Sequence, residues 1–210
     1  IAKRLPAAVA KYLENGLAGK IPETPKPGDP LFKKVFHTIV ASNQEALLSA
    51  EQKARELGYK TLVLSSLIEG ETRDVAGVHT AIARQAKLSG HPVSTPACIL
   101  SGGETTVTLN GGGKGGRNQE FALACAHSIR DIETIVILSG GTDGTDGPTD
   151  AAGAMVDHTT EQNARRLGLS TSSYLRNNDA YTYFTQTNDL IKTGPTKTNV
   201  MDFRLMLIEK

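Results

Sequence analysis

Tryptophan is absent from this chain of 210 residues, and cysteine occurs only twice, at Cys98 and Cys125. Each cysteine lies inside an apolar run, which excludes a disulfide framework and points to reduced, buried thiols. An excess of one charge is missing too, because 23 Lys and Arg stand against 22 Asp and Glu, for a net charge of +1. Without a basic excess the chain lacks the footprint of a general nucleic-acid binder, so any anion site has to be local. No apolar run approaches the roughly 20 residues of a membrane helix, and no basic-then-apolar leader opens the chain. These absences favour a cytosolic (cytoplasmic) protein that contacts neither membrane nor nucleic acid. Residue 1 is isoleucine, so the sequence reads as a fragment or a processed chain.

What is abundant is glycine, 21 residues of it, concentrated after short apolar runs. Apolar positions at helical spacing predict a first helix over residues 4–17, with Leu5, Val9, Tyr12 and Leu13 on one face. Four prolines between Ile21 and Pro30 then forbid a helix and favour an extended connector. We divide the chain there, into residues 1–30 and an α/β lobe of residues 31–210. Beyond the connector, apolar runs alternate with amphipathic stretches, the pattern of a layered α/β fold with a mostly parallel or mixed sheet flanked by helices. Strands are expected at residues 35–41, 60–65, 97–100, 105–109, 134–138, 154–156 and 203–208. Helices are expected at residues 43–57, 74–88, 117–129, 160–167 and 179–187.

Two of these strands run into the same letters, Ser101-Gly102-Gly103-Glu104 and Ser139-Gly140-Gly141-Thr142. A strand ending in Ser-Gly-Gly is expected to present bare backbone N–H groups at its carboxyl end, where open α/β sheets bind ligands. The run from Gly111 to Gly116 fits G-x-G-x-x-G, but the acid of a dinucleotide fingerprint is not at the end of a neighbouring strand. It is not a Walker A loop either, since Arg117 and Asn118 follow the last glycine. Flexible glycines, Lys114 and a helix start at Arg117 still suit an anion. The bland alternative is a mobile loop whose arginine pairs with Glu120 or another acid. Arg117 is singled out because a guanidinium can grip phosphate or carboxylate with two bonds. Asn118 and Gln119 can orient substrate hydroxyls or cap the helix.

Asp143, Asp146 and Asp150 lie among Thr142, Thr145 and Thr149, a set that suits Mg²⁺ or an ordinary turn. Thr193-Gly194-Pro195-Thr196-Lys197-Thr198-Asn199 is a third polar glycine loop. The five histidines show no metal-ligand spacing and read as structural or solvated.

With Ile21-Pro22-Glu23-Thr24-Pro25-Lys26, the Ser101 block, Gly115-Gly116-Arg117-Asn118-Gln119-Glu120-Phe121, Gly141-Thr142-Asp143-Gly144-Thr145-Asp146-Gly147-Pro148 and Thr193-Gly194-Pro195-Thr196 in this order, the chain resembles the carboxyl-terminal half of class II glycerate kinases. Their glycine-rich terminal segment is known as the MOFRL domain, here about residues 97–207. The resemblance implies ATP-dependent phosphorylation of D-glycerate, generally at the 2-hydroxyl, with ATP and Mg²⁺ in a cleft between two α/β lobes. The partner it implies is the amino-terminal lobe of the same protein, which supplies a catalytic lysine; a homo-oligomer stays open. Some relatives carry the label hydroxypyruvate reductase, and that activity and a non-catalytic binding or assembly role are the alternatives. Lys197 stands where glycine is usual in the family's Gly-Pro-Thr-Gly-Thr-Asn loop. The candidate site therefore takes Arg117 as the clamp and Asp143, Asp146 and Asp150 as metal ligands. Ser101, Gly102, Gly103, Glu104, Lys114, Gly116, Asn118, Gln119, Thr142, Asp143, Thr145, Thr196 and Asn199 are its substrate or nucleotide contacts.

Overall fold

Six strands form the sheet: β1 (Lys60–Val63), β2 (Ala97–Gly103), β3 (Ile135–Gly141), β4 (Gly153–Val156), β5 (Leu190–Ile191) and β6 (Asp202–Ile208). They lie in the order β1-β2-β6-β3-β4-β5 in a computed structural model that describes residues 5–210. Only β1 and β2 pair in parallel, while β6 runs antiparallel between β2 and β3, and β4 and β5 continue antiparallel beyond β3. Of the two arrangements expected, mostly parallel or mixed, the sheet is the mixed one. The cause is the last strand, which inserts between β2 and β3 and keeps them from pairing directly.

The helices α2 (Asn43–Glu56), α3 (Thr72–Ser89), α4 (Arg117–Ile129), α5 (His158–Arg166), α6 (Thr171–Arg176) and α7 (Ala180–Thr187) complete this unit, which spans residues 41–210. Ser42 starts α2 by accepting from Glu45 N, and Gly90 ends α3 in the left-handed region. Alternate residues of the central strands point to opposite faces, each covered by helices. Ile99, Ile137, Met206 and Ile208 pack with Phe121 and the alanines of α3 and α4. Cys98 and Leu100 pack on Leu47 and Ala54 of α2. Both thiols are free and buried, and burial pushes that of Cys98 up to about 11.

Two expected strands do not form. Residues 35–41 have no regular structure, and Phe36, Ile39 and Val40 are exposed, because no strand among the described residues supplies the ladder that would hold them. Residues 105–109 leave the sheet after Gly103, whose φ of 117° turns the chain away from β6. They make a single bridge, Glu71 to Thr106. Helix α6 and the two-residue β5 lie in stretches not expected to be regular.

Residues up to Val40 form a separate compact unit, so the division falls ten residues beyond the end of the proline-rich connector. It contains α1 (Ala7–Leu17), which buries no side chain, and a 3-10 turn at Pro30–Lys34 capped by Asp29. The expected helix start at Arg4 lies outside the described residues.

Candidate functional site

The two Ser-Gly-Gly triplets are not strand ends open to solvent. Ser101, Gly102 and Gly103 pair with Arg204, Phe203 and Asp202 of β6, and Ser139, Gly140 and Gly141 pair with the same three from the other side. The echo in the sequence is therefore two small-residue walls around one Asp-x-Arg strand start. Their backbone groups are spent, with Gly102 N donating to Ser65 O and Gly141 N to Ala152 O. A side chain would not fit at Gly103, whose Cβ would run into the backbone of Ile68, or at Gly102, where it would strike Asn43. Ser101 is buried, its hydroxyl 2.8 Å from His79 Nε2, so it is no ligand contact. Gly102 and Gly103 fall out of the direct contacts for the same reason.

Asp202, fully buried, is the centre of the arrangement. Arg117, at the first turn of α4, donates Nε to Oδ2 at 2.8 Å and Nη2 to Oδ1 at 2.9 Å. Asn118 Nδ2 adds a bond to Oδ1 at 2.8 Å, and Arg204 Nη2 one to Oδ2 at 3.0 Å. Glu104, largely exposed, touches Arg117 Nη2 at 3.3 Å. Burial works against the Arg117 charge, but the bonds and charge of Asp202, then Glu104 and Asp146, carry its pKa upward. The arginine's partners are thus Asp202 and Glu104, while Glu120 pairs with Arg73 at 2.7 Å. Neither Asp202 nor Arg204 was a site candidate in the sequence. Their signal was two opposite charges, two residues apart, on the same face of a strand that continues as Met206 and Ile208.

The helix start does not offer free N–H groups to an anion, because Asp146 already occupies it. Its carboxylate accepts from Asn118 N at 3.1 Å, Gln119 N at 2.9 Å and Gln119 Nε2 at 3.0 Å. Gly116 lets it come so close, since a Cβ there would overlap the Asp146 carboxyl group. Burial raises the Asp146 pKa, opposed by these N–H bonds. Asn118 and Gln119 are buried and hold the two aspartates, so neither reaches a substrate hydroxyl.

The three aspartates of the second loop do not gather into one ligand set among the described residues. Asp146 caps α4, and Asp150 accepts from Tyr181 Oη at 2.7 Å and Lys192 Nζ at 3.0 Å. Asp143 uses Oδ1 for Thr145 N at 2.9 Å, and no hydrogen bond takes Oδ2 among the described residues. Of the three, only Asp143 keeps an oxygen that fits a role as a single carboxylate ligand for Mg²⁺, an ion that completes its shell with water and phosphate.

The second and third glycine loops meet. Thr196 Oγ1 donates to Thr142 O at 2.6 Å, and Thr142 Oγ1 to Met201 O at 2.7 Å. Asn199 Oδ1 accepts from Met201 N at 3.0 Å, an intraloop bond. Lys114 lies over the Tyr181 ring, its Nζ 4.4 Å from the centroid.

A pocket of about 470 Å³ opens beside this cluster, and Gly113, Gly115, Gly116, Arg117 and Gly147 form one side of it. Val107, Leu109 and Pro148 add apolar wall. The volume suits a small-molecule ligand. Glycine is required where the loops cross, since a Cβ at Gly147 would strike Gly115 O. Of the expected contacts, Arg117 and Gly116 line this pocket; Asp143, Thr196 and Asn199 do not, although Gly147 and Pro148 of the Asp143 loop do.

Comparison with known proteins accounts for this combination. The MOFRL family matches residues 97–202, within the span expected from the sequence. A glycerate 2-kinase of Pyrococcus horikoshii is 36% identical over 207 residues, covering 98% of this chain and 46% of the relative. A protein of Agrobacterium vitis labelled as a hydroxypyruvate reductase is 42% identical over 188 residues, 89% of this chain and 42% of its own length. The crystal structure of a glycerate kinase from Thermotoga maritima superposes with a TM-score of 0.80 at 38% identity, over 81% of this chain and 41% of that one. The chain spans less than half the length of these relatives. A match over half of the chain, on the same segment that carries β2, the glycine loop, α4 and the Asp202 clamp, shows that the chain belongs to the MOFRL family as a domain of the glycerate kinase type.

Proposed function

We propose that this chain is the carboxyl-terminal lobe of an ATP-dependent glycerate 2-kinase, with Arg117 as the group that meets a phosphate or carboxylate in the pocket. The observation that carries the reading is the Arg117–Asp202 clamp at the side of that pocket, between glycines that allow close approach. In the reaction the 2-hydroxyl of D-glycerate attacks the γ-phosphorus of ATP. The new O–P bond forms as the bond to ADP breaks, and the hydroxyl proton leaves. Little covalent chemistry is asked of the protein, so positioning and charge stabilisation carry the rate. Arg117 is fixed before substrate arrives, and its guanidinium has no reorganisation to make when charge develops on the transferring group. Mg²⁺ would neutralise phosphate charge, and of the three loop aspartates Asp143 is the one with a carboxylate oxygen free to help hold it.

On this reading the lobe forms one wall of a cleft, and the amino-terminal lobe of the complete protein is the partner that forms the other. We therefore expect the 210-residue chain alone to be inactive. The test is a paired assay of the complete protein, ATP with D-glycerate against NADH or NADPH with hydroxypyruvate. ADP formation that needs D-glycerate supports the kinase reading. Nicotinamide oxidation without ATP would replace it with the reductase, and the capped start of α4, with Asp146 where a pyrophosphate would dock, argues against that outcome. Robust turnover by the isolated chain would overturn the half-site reading.

A further inference from the structure

Two guanidinium groups share one buried carboxylate in this lobe. Arg117 takes both oxygens of Asp202, and Arg204 takes Oδ2 as well, at 3.0 Å. The Arg204 side chain is 0% exposed, and it does not line the pocket. Its Nη2 also donates to Thr105 Oγ1 at 3.1 Å, and its guanidinium carbon lies 5.1 Å from the Phe121 ring centroid. Nε and Nη1 are buried with no hydrogen-bond partner among the described residues. Its cross-strand neighbours Ser101 and Ser139 leave room for it, yet both hydroxyls turn elsewhere, to His79 and Asn118.

A buried cation with two idle donors is a costly way to fill space, and an apolar residue would pack there at lower cost. Burial lowers the Arg204 pKa, though a guanidinium stays charged in a protein. What Arg204 does have is a second cation on Asp202, at the same Oδ2 that Arg117 Nε takes, while lying outside the pocket lining. Of the charged side chains Arg117, Asp202 and Arg204, Arg117 is the one that borders the pocket. Two further acids stand close to it: Glu104 touches Arg117 Nη2 at 3.3 Å, and Asp146 is met by the N–H groups of α4. Arg204 offsets part of this acidic charge from within the lobe.

We propose that Arg204 is a positioning residue for Arg117: by holding Asp202 through Oδ2 and neutralising part of its charge, it leaves the Arg117 cation in fixed orientation for an anionic ligand in the pocket. The ligand class is a phosphate or carboxylate, and the inference rests on the reading of this pocket as an anion site.

The test compares wild type, Arg204→Met, Arg204→Lys, Arg117→Ala and the Arg117→Ala, Arg204→Met double variant in the complete protein. Equilibrium binding of inorganic pyrophosphate by calorimetry is the readout that needs no turnover, and kcat and KM with ATP and D-glycerate are measured alongside. Arg204→Met is expected to weaken pyrophosphate binding about tenfold, with most of the loss recovered by Arg204→Lys. On the Arg117→Ala background the same change should alter binding less than about twofold, because coupled residues are non-additive. Equal fold-losses on both backgrounds, or unchanged binding in Arg204→Met, would overturn the proposal and leave a packing role. Should Arg204→Met fail to fold, Arg204→Gln removes the charge while keeping a donor for Thr105. Kinase activity with additive losses sinks this inference alone. Coupled pyrophosphate binding without kinase activity sinks the functional reading alone, and a wild type that neither binds nor turns over sinks both.

Discussion

Arg117 and Asp202 meet edge to edge, Nε 2.8 Å from Oδ2 and Nη2 2.9 Å from Oδ1, with the carboxylate wholly buried. Two parallel charge-assisted bonds fix the plane of the guanidinium as well as its position. Lysine has no fork with which to repeat them. In the complete protein, Arg117→Lys and Asp202→Asn should each lower kcat about 100-fold or more, a loss of the size expected when one preorganised charge is displaced. Steady-state assays with ATP and D-glycerate check this. Near-normal turnover in both variants would remove the clamp from the catalytic machinery.

Asp146 and Asp143 should separate cleanly, although they stand three residues apart. Asp146 caps the buried start of α4, and losing the carboxylate leaves Gln119 and Asn118 donors without their acceptor. Asp146→Ala is expected to cost about 2–4 kcal/mol of stability without changing the Mg²⁺ concentration that supports half-maximal activity. Asp143→Asn should do the reverse, raising the Mg²⁺ requirement with little effect on unfolding. Urea unfolding and Mg²⁺ titration of both variants decide. A shifted Mg²⁺ requirement in Asp146→Ala at unchanged stability would restore Asp146 as a metal ligand.

Much of this lobe was legible because its signals are local. Ser42 before an amphipathic run, Gly90 after one, and the apolar residues of β2 and β3 each declare an element within a few positions. The glycine loop and Arg117 likewise stood out as a group. What was not legible depends on which strand lies beside which. Nothing near Ser101 or Ser139 says that Arg204, at the far end of the chain, fits between them, so the triplets read as open strand ends rather than walls. The same applies to Asp146, whose metal-like neighbourhood gives no sign that α4 starts against it. Residues 35–41 show the converse, a strand-like pattern with no partner strand among the described residues.

His79 predicts a pH dependence of stability. Its Nδ1 lies 2.8 Å from Val75 O and its Nε2 2.8 Å from Ser101 Oγ, so the neutral ring donates to the carbonyl and accepts from the hydroxyl. Burial lowers its pKa from the ordinary 6.5, opposed by the bond to Val75 and aided by the charge of Arg204. The unfolded chain takes up the proton first as pH falls, so the stabilisation is present above the ordinary value and is lost as pH drops through the folded one. Unfolding free energy should therefore decline with a slope of up to about 1.4 kcal/mol per pH unit from this one group. Urea unfolding at a series of pH values should show a shallower decline below about pH 6.5 in His79→Gln than in wild type. Identical slopes would mean that His79 titrates alike in both states.

Lys197 carries a backbone strain. Its φ is 61°, in the left-handed region where a Cβ crowds the following carbonyl and glycine is the residue that avoids the crowding. Relieving that contact is worth roughly 1–2 kcal/mol, while glycine loosens the unfolded chain by about 0.4–1 kcal/mol. Lys197→Gly should therefore stabilise the lobe by about 0.5–1 kcal/mol. Lys197→Ala should bring no such gain, because it keeps the Cβ. The loop is tied to the Asp143 segment through Thr196 Oγ1 and Thr142 O at 2.6 Å, and Thr196 N and Asp143 O at 3.0 Å, so the gain requires those bonds to survive. Chemical denaturation of the three proteins measures it. Destabilisation by glycine would show that the lysine side chain, not its backbone, is what the loop needs at that position.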